Sequence, residues 1–160
     1  EIEKSGSTNY LYLLKSGNGT FKVHRLTSAG KVSSAVMTRD WSSGWTSAEF
    51  FDVGGRKYLM LLKKGSGRVH IHRMNSNGTV GSQVRRYNWS SGWSSVTFFE
   101  HAAKTQLMLI NAETGRVHMH RINNGGTVGG RTFTRNWTTG WTQAEAHDVG
   151  GTPHLFLLKK

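Results

Sequence analysis

The chain says the same thing three times: WSSGW at 41–45, WSSGW at 89–93 and WTTGW at 137–141, a spacing of 48 residues that captures all six tryptophans. A fixed period of this size means that each unit is one supersecondary element which hides its apolar face by stacking on its neighbours. The register extends well beyond the motif. Leu11, Leu59, Leu107 and Leu155 share a phase, as do Gly19, Gly67 and Gly115, and His24, His72 and His120. Glu1 falls in phase with Glu49 and Glu145, and Lys160 with Ser16, so the sequence holds three periods and 16 further residues. We read 1–160 as a single repeat domain with units of approximately 1–45, 46–93 and 94–141 and a partial unit 142–160.

Within one unit the pattern predicts strands over 46–53, 58–63, 68–74 and 79–87, separated by Gly54-Gly55, Gly65-Ser66-Gly67 and Asn75–Gly78. Short strands with Gly, Asn and Ser turns are the signature of an antiparallel meander, and no segment has useful helical periodicity. The run Tyr58-Leu59-Met60-Leu61-Leu62 is apolar throughout, as in a strand covered on both faces. By contrast, Val69-His70-Ile71-His72-Arg73 alternates, as in a strand with one polar face. Pro153 is expected in the turn before the last strand.

Apolar inner strands and mixed outer ones predict a β-propeller-like array of four-stranded antiparallel blades. A β-trefoil is the alternative, because it too has three units, yet it has no use for a fourth Leu-rich strand such as His154-Leu155-Phe156-Leu157-Leu158. Propellers take about four to eight blades. About three and a third units therefore call for further blades in the native protein or for a homo-oligomer in which another copy completes the ring.

The absence of cysteine excludes a disulfide scaffold and thiolate metal sites. No apolar run approaches the roughly 20 residues needed to cross a bilayer, and EIEKSGSTN has no signal-peptide core. No membrane insertion is expected. Export would use a route invisible in the sequence, or a leader and further repeats have been removed; a secreted or extracellular setting is the favoured expectation. Twenty-one Lys and Arg against nine acids give a net charge of +12, which draws anionic polymers such as nucleic acid or sulfated glycan to the surface and also serves solubility. The basic residues are dispersed, without the run that marks a nucleic-acid tail.

Each WxxGW places two indoles about a tight turn. An indole face suits the C–H face of a pyranose and its N–H donates to a hydroxyl. The second tryptophans, Trp45, Trp93 and Trp141, are expected to seal the core. The first ones, Trp41, Trp89 and Trp137, stand beside Asp40, Asn88 and Asn136 at a strand end and are candidate ligand-binding residues. Arg39 and Arg135 precede them in two units, where a planar guanidinium clamps or stacks on a ligand; the middle unit has Tyr87 instead. The HxHR strands put His70 with His72, and His118 with His120, on one face about 7 Å apart. No carboxylate or thiol shares those strands to complete a metal set, so His24, His72 and His120 are candidates for hydrogen bonding to a polar ligand, or are structural.

Glu49 and Glu145 recur in phase while the middle unit has Thr97. Such carboxylates form a glycosidase pair only on converging to about 5–9 Å, which a ring of equivalent units does not favour. No nucleophile elbow, phosphate loop or HExxH is present. No catalytic residue, metal or cofactor is expected.

At GWTSAEFFDVGGRKYLMLL (44–62) and GWSSVTFFEHAAKTQLMLI (92–110) the sequence resembles the tachylectin-2-like group of β-propeller lectins. Their blades similarly open with Gly-Trp, run into a Phe-rich strand, turn, and continue with a Tyr-Leu strand. The WxxGW element is also similar to repeats of bacterial and fungal propeller lectins of the fucose-binding kind. The resemblance implies one shallow sugar site per blade or inter-blade cleft and no catalysis. The basic HxHR strand departs from that pattern and leaves the identity of the ligand open. The expected function is therefore that of a lectin with repeated weak sites and multivalent glycan binding. The alternative is a basic module that binds anionic polymers, or a targeting scaffold within a larger protein.

Overall fold

The computed structural model describes residues 1–159, which form fourteen antiparallel strands and, among the described residues, no helix. The first sheet holds β1 (Ile2–Ser5), β2 (Thr8–Lys15), β3 (Thr20–Leu26) and β4 (Val32–Asp40). The second holds β5 (Ser47–Val53), β6 (Arg56–Lys63), β7 (Arg68–Met74) and β8 (Val80–Asn88), and the third β9 (Trp93–His101), β10 (Lys104–Asn111), β11 (Arg116–Ile122) and β12 (Val128–Asn136). The last is a hairpin of β13 (Trp141–Val149) and β14 (Thr152–Lys159). Every sheet pairs its strands in chain order, so each 48-residue unit closes as its own meander. That organisation is the one expected of blades, whereas a trefoil would share its strands in a common barrel.

β5 and β8 start one residue later than the sequence reading, at Ser47 and Val80, and the starts of β6, β9 and β13 move for local reasons. β6 starts at Arg56 because Gly54 and Gly55 both take positive φ (58° and 69°), which makes a two-residue hairpin turn and lets Arg56 pair with Val53. β9 and β13 start at the tryptophan itself, since Trp93 pairs with Asn111 and Trp141 with Lys159 across a register shift. Pro153, expected in a turn, is instead the second residue of β14.

The sheets stack face to face in chain order, with apolar clusters filling the three junctions. Leu59 and Leu61 of β6 point to the first sheet and pack with Tyr10, Tyr12, Phe21 and Val23. Tyr58, Met60 and Leu62 point the other way, onto Val96, Leu107 and Leu109 of the third sheet. The unbroken apolar run in this strand follows from that double cover. Each such Leu contributes about 1.5–3 kcal/mol on burial, and Leu59, Leu61 and Leu62 are all fully buried. The outer strands β8 and β12 are largely exposed. The first strands draw together instead, β9 packing against both β5 and β13.

A register shift recurs where the third and fourth strands pair, on either side of His24, His72 and His120 in the three complete sheets. Bulges bend a strand and re-aim its side chains. In the second and third sheets the shift sits beside His72 and His120, which meet the tryptophan motif.

Candidate ligand site at the sheet junctions

The WxxGW segment runs from the outer strand of one sheet to the first strand of the next. It is anchored to the second hairpin of the sheet it leaves. Trp41, Trp89 and Trp137 each donate their backbone N–H to Gly19, Gly67 and Gly115, at 3.0, 2.9 and 2.8 Å. These glycines have positive φ, and a Cβ on any of them would lie about 2 Å from the tryptophan carbonyl oxygen. Only glycine fits there, which explains its shared phase with the motif.

So anchored, the two indoles of each motif fall on the two histidines of the following HxHR strand. Trp41 lies 5.4 Å from His72 and Trp45 lies 4.7 Å from His70, between ring centroids. The next junction repeats the pattern, with Trp89 6.4 Å from His120 at an interplanar angle of 10°, and Trp93 4.8 Å from His118. The paired histidines stand 6.1 and 6.0 Å apart, as the strand rise requires. Among the described residues no group of three or more His, Asp or Glu is placed to hold a metal ion.

The two tryptophans of a motif differ in depth. Trp45 and Trp93 are buried, with their indole nitrogens unpartnered, whereas Trp41, Trp89 and Trp137 are half-buried. Trp141 is also half-buried, because the sheet it opens is only a hairpin. The Arg39 guanidinium lies 6.0 Å from the Trp41 ring. In the middle unit Tyr87 takes this place, stacked 5.7 Å from Trp89, with its hydroxyl accepting from the Val128 backbone N–H at 2.9 Å. Tyr87 thus ties the second sheet to the third, a role that its phase with Arg39 does not reveal. Arg135 is exposed beside Trp137, and Asp40, Asn88 and Asn136 are exposed at the ends of β4, β8 and β12.

Neutral imidazoles face the tryptophans. Burial pushes the pKa of His70 down to about 4, with Arg86 and His72 adding to the effect, and burial likewise lowers His72, His118 and His120. His24 Nδ1 meets the Ser33 carbonyl at 2.8 Å and His120 Nδ1 the Gly129 carbonyl at 3.3 Å. An Nδ1–H donated to a carbonyl leaves Nε2 as an acceptor. The in-phase Gly81 carbonyl favours the charged form of His72, although neither ring nitrogen of this 5% exposed residue reaches hydrogen-bond geometry. His24 lies in the first sheet and is bonded to the backbone of that sheet. The Trp-His arrangement is therefore complete at two junctions, first to second sheet and second to third.

Lys63 was not singled out by the sequence, yet its Nζ lies 4.8 Å from the Trp45 ring centroid and donates to Ser42 Oγ at 2.8 Å and to the Ser43 carbonyl. Its in-phase residue Asn111 is buried and instead accepts from the backbone of Glu113 and Thr114. The two junctions thus share their aromatic frame and differ in their polar contacts.

The carboxylates depart from the sequence expectation. Because the first strands converge, the in-phase residues Glu1, Glu49, Thr97 and Glu145 line one cavity of about 610 Å³. Glu49 is pushed up to about 8, chiefly by burial, then by Glu1 and Glu145, against the opposing amino terminus. Glu1 is raised to about 7, by burial and by Glu3. Repetition does bring equivalent carboxylates together when their strand is the innermost one.

No family model and no curated protein sequence matches the chain. Its structure is similar to that of an exo-β-1,3-galactanase from Phanerochaete chrysosporium, solved with β-1,3-galactotriose, at a TM-score of 0.59 and 12% sequence identity. The match covers 82% of this chain and 34% of the galactanase, so the chain spans about a third of the length of that structure. The likeness is one of fold.

Proposed function

We propose that the chain is a lectin that binds glycans without catalysis, at the Trp-His junctions between consecutive sheets. The observation that carries this reading is that one aromatic arrangement is built twice, at equivalent junctions, with a half-exposed indole at each. An indole face for the C–H side of a sugar, with Arg39 or Tyr87 at the rim, meets the general needs of a sugar platform. The resemblance to tachylectin-2-like propellers supports the same reading. The galactotriose bound to a protein of similar fold makes galacto-oligosaccharides the first ligands to try. Shallow sites of this kind bind single sugars weakly and gain strength on a glycan-covered surface, which suits an extracellular setting.

The test is a glycan array with red-cell agglutination, run with and without competing sugar. We expect sugar-inhibited signal that is lost in Trp41→Ala/Trp89→Ala. No glycan signal at high protein concentration would sink the proposal.

One observation favours a second reading. Exposed arginines, including Arg68, Arg73, Arg85, Arg116, Arg121 and Arg131, line the third and fourth strands of the second and third sheets. Binding of an anionic polymer to them would weaken steeply between about 50 and 200 mM salt, whereas sugar stacking would not.

A further inference from the structure

The alternation of side chains along a strand assigns each charged residue to one junction or another. In the second sheet Leu59, Leu61 and Lys63 share a face with His72, His70 and Arg68, and the pairing of His70 with Arg86 adds Arg86 to it. Leu59 and Leu61 pack on the first sheet, so this face is turned towards that sheet. The first sheet answers with Phe21 and Val23, and Arg39 pairs with Phe21 on the same face. Arg39, Lys63, Arg68 and Arg86 therefore all turn towards the first junction, where Trp41 and Trp45 lie.

Among the described residues no carboxylate is paired with any of these four cations. Asp40 pairs with Thr20 and so belongs to the opposite face of its sheet. Glu3 and Asp52 lie on first strands and are both engaged by Lys57. Lys63 and Arg68 stand directly opposite each other in the strand pairing, which is unfavourable for like charges. The charges of Arg86, Arg68 and Lys63 all bear on His70, and that of Arg39 bears on His72. Arg68 and Arg86 are exposed and Arg39 is half-buried, so an anion arriving from solvent meets them at the seam beside Trp41. The second junction is poorer in charge, with Tyr87 and Asn111 in the places of Arg39 and Lys63. Like charges gathered without a counter-charge repel one another, and an anion that joins them relieves this.

We infer that the glycan held at the first junction is an acidic one, whose sulfate ester or carboxylate is gathered by Arg39, Arg68 and Arg86 while its sugar ring lies on the half-buried Trp41 indole. Planar guanidinium groups suit both anions through paired N–H donors, and the indole gives the ring a contact that a chain of bare phosphates cannot use. Lys63 donates to Ser42 Oγ and to the Ser43 carbonyl, which holds the motif against this face and adds positive charge. The inference rests on the glycan reading and narrows its ligand class.

The experiment is calorimetric titration of the full chain at about 150 mM salt, where charges further apart than about 8 Å are largely screened. The probes are a sulfated galacto-oligosaccharide, its desulfated form, a uronic-acid oligosaccharide of the same length and inorganic polyphosphate. At least one of the two acidic sugars should bind about tenfold or more tighter than the desulfated one, as charge-assisted hydrogen bonds allow, and comparing the two shows which acid group is taken. Arg39→Gln/Arg86→Gln should abolish this preference. Arg73→Gln/Arg121→Gln, which removes the same charge from faces turned to other junctions, should keep it. Trp41→Ala should weaken acidic and neutral sugars alike. Equal binding of acidic and desulfated sugars would overturn the inference and leave the glycan reading standing, whereas no binding of any sugar would remove both. Polyphosphate bound as tightly as the acidic sugars and unaffected by Trp41→Ala would overturn it in favour of bare charge. So would a preference lost equally in Arg73→Gln/Arg121→Gln.

Discussion

Replacing Glu49 by Gln should stabilise the protein at high pH and leave it unchanged at low pH. Glu49 lines the cavity formed by the first strands and faces Glu1 and Glu145 across it, with His147 in the same lining. Its carboxyl titrates at about 8 when folded, against an unperturbed 4.5. A raised pKa means that the folded state binds more protons than the unfolded chain between these values. The contribution is therefore whole below pH 4.5 and is lost as pH rises through 8. At about 1.4 kcal/mol per pH unit the shift sets a ceiling near 5 kcal/mol. The cavity opens to solvent and the neighbouring charges can relax, so screening reduces this to about 1–2 kcal/mol. Gln keeps the shape and carries no charge at any pH. For a chain of this size the gain is about 2–8 °C in Tm at pH 9, and near zero at pH 5. Circular dichroism melts of both proteins at pH 5, 7 and 9 test this. Thr97→Glu, which adds a fourth in-phase carboxyl, should do the reverse and lose stability progressively as pH rises. A Glu49→Gln effect of equal size at pH 5 and pH 9, or a loss at pH 9, would refute the electrostatic account.

Gly67→Ala should cost about 3 kcal/mol or more, since its Cβ would meet the Trp89 carbonyl at 2.1 Å in a left-handed conformation. Gly65→Ala, with open space around it, should stay within about 0.5 kcal/mol in the same urea titration. Trp93→Ala should lose about 3–5 kcal/mol by emptying a core site. Trp89→Ala should lose clearly less in the same titration, while glycan binding falls, because that indole is half-buried. Ala102 and Ala103 hold φ of 50° and 56° where the second sheet has Gly54-Gly55. Ala102→Gly/Ala103→Gly should therefore gain about 1 kcal/mol, read as a rise of about 2–4 °C in Tm.

The meander was legible because its signals are local. Gly and Asn turns bound each strand, and the contrast between Tyr58–Leu62 and Val69–Arg73 reports how many faces are covered. The depth difference within WxxGW was also legible, for Trp45 and Trp93 are buried and their partners Trp41 and Trp89 are not. Three features were not legible, and all depend on how one unit meets the next. The HxHR histidines read as candidates for a polar ligand or as structural residues, without a sign that tryptophans from a motif entering over the turn of the preceding sheet pack on their rings. Tyr87 read as a substitute for Arg39, and its bond to Val128 appears only when the third sheet is in place. Glu1, Glu49 and Glu145 read as in phase but apart, because a period states that positions are equivalent without stating whether their strands converge.

The strand on which a repeated residue sits decides what it does. On the outer strands, equivalent positions lie far apart, and a side chain repeated there makes separate copies of a site, as at Trp41 and Trp89. On the first strand, equivalent positions converge, and a repeated carboxyl makes a single site with interacting charges. Thr97 interrupts the Glu series at that inner position and leaves three carboxyls around the cavity in place of four. By contrast, Tyr87 interrupts the Arg series at the rim and alters only the junction it belongs to. The same kind of departure from the repeat therefore has a collective effect on the converging first strands and a local one on the outer strands. This gives a direct test of the architecture: Thr97→Glu should alter the pH dependence contributed by Glu49, whereas Tyr87→Arg should change the junction beside Trp89 and leave the Trp41 junction as it is.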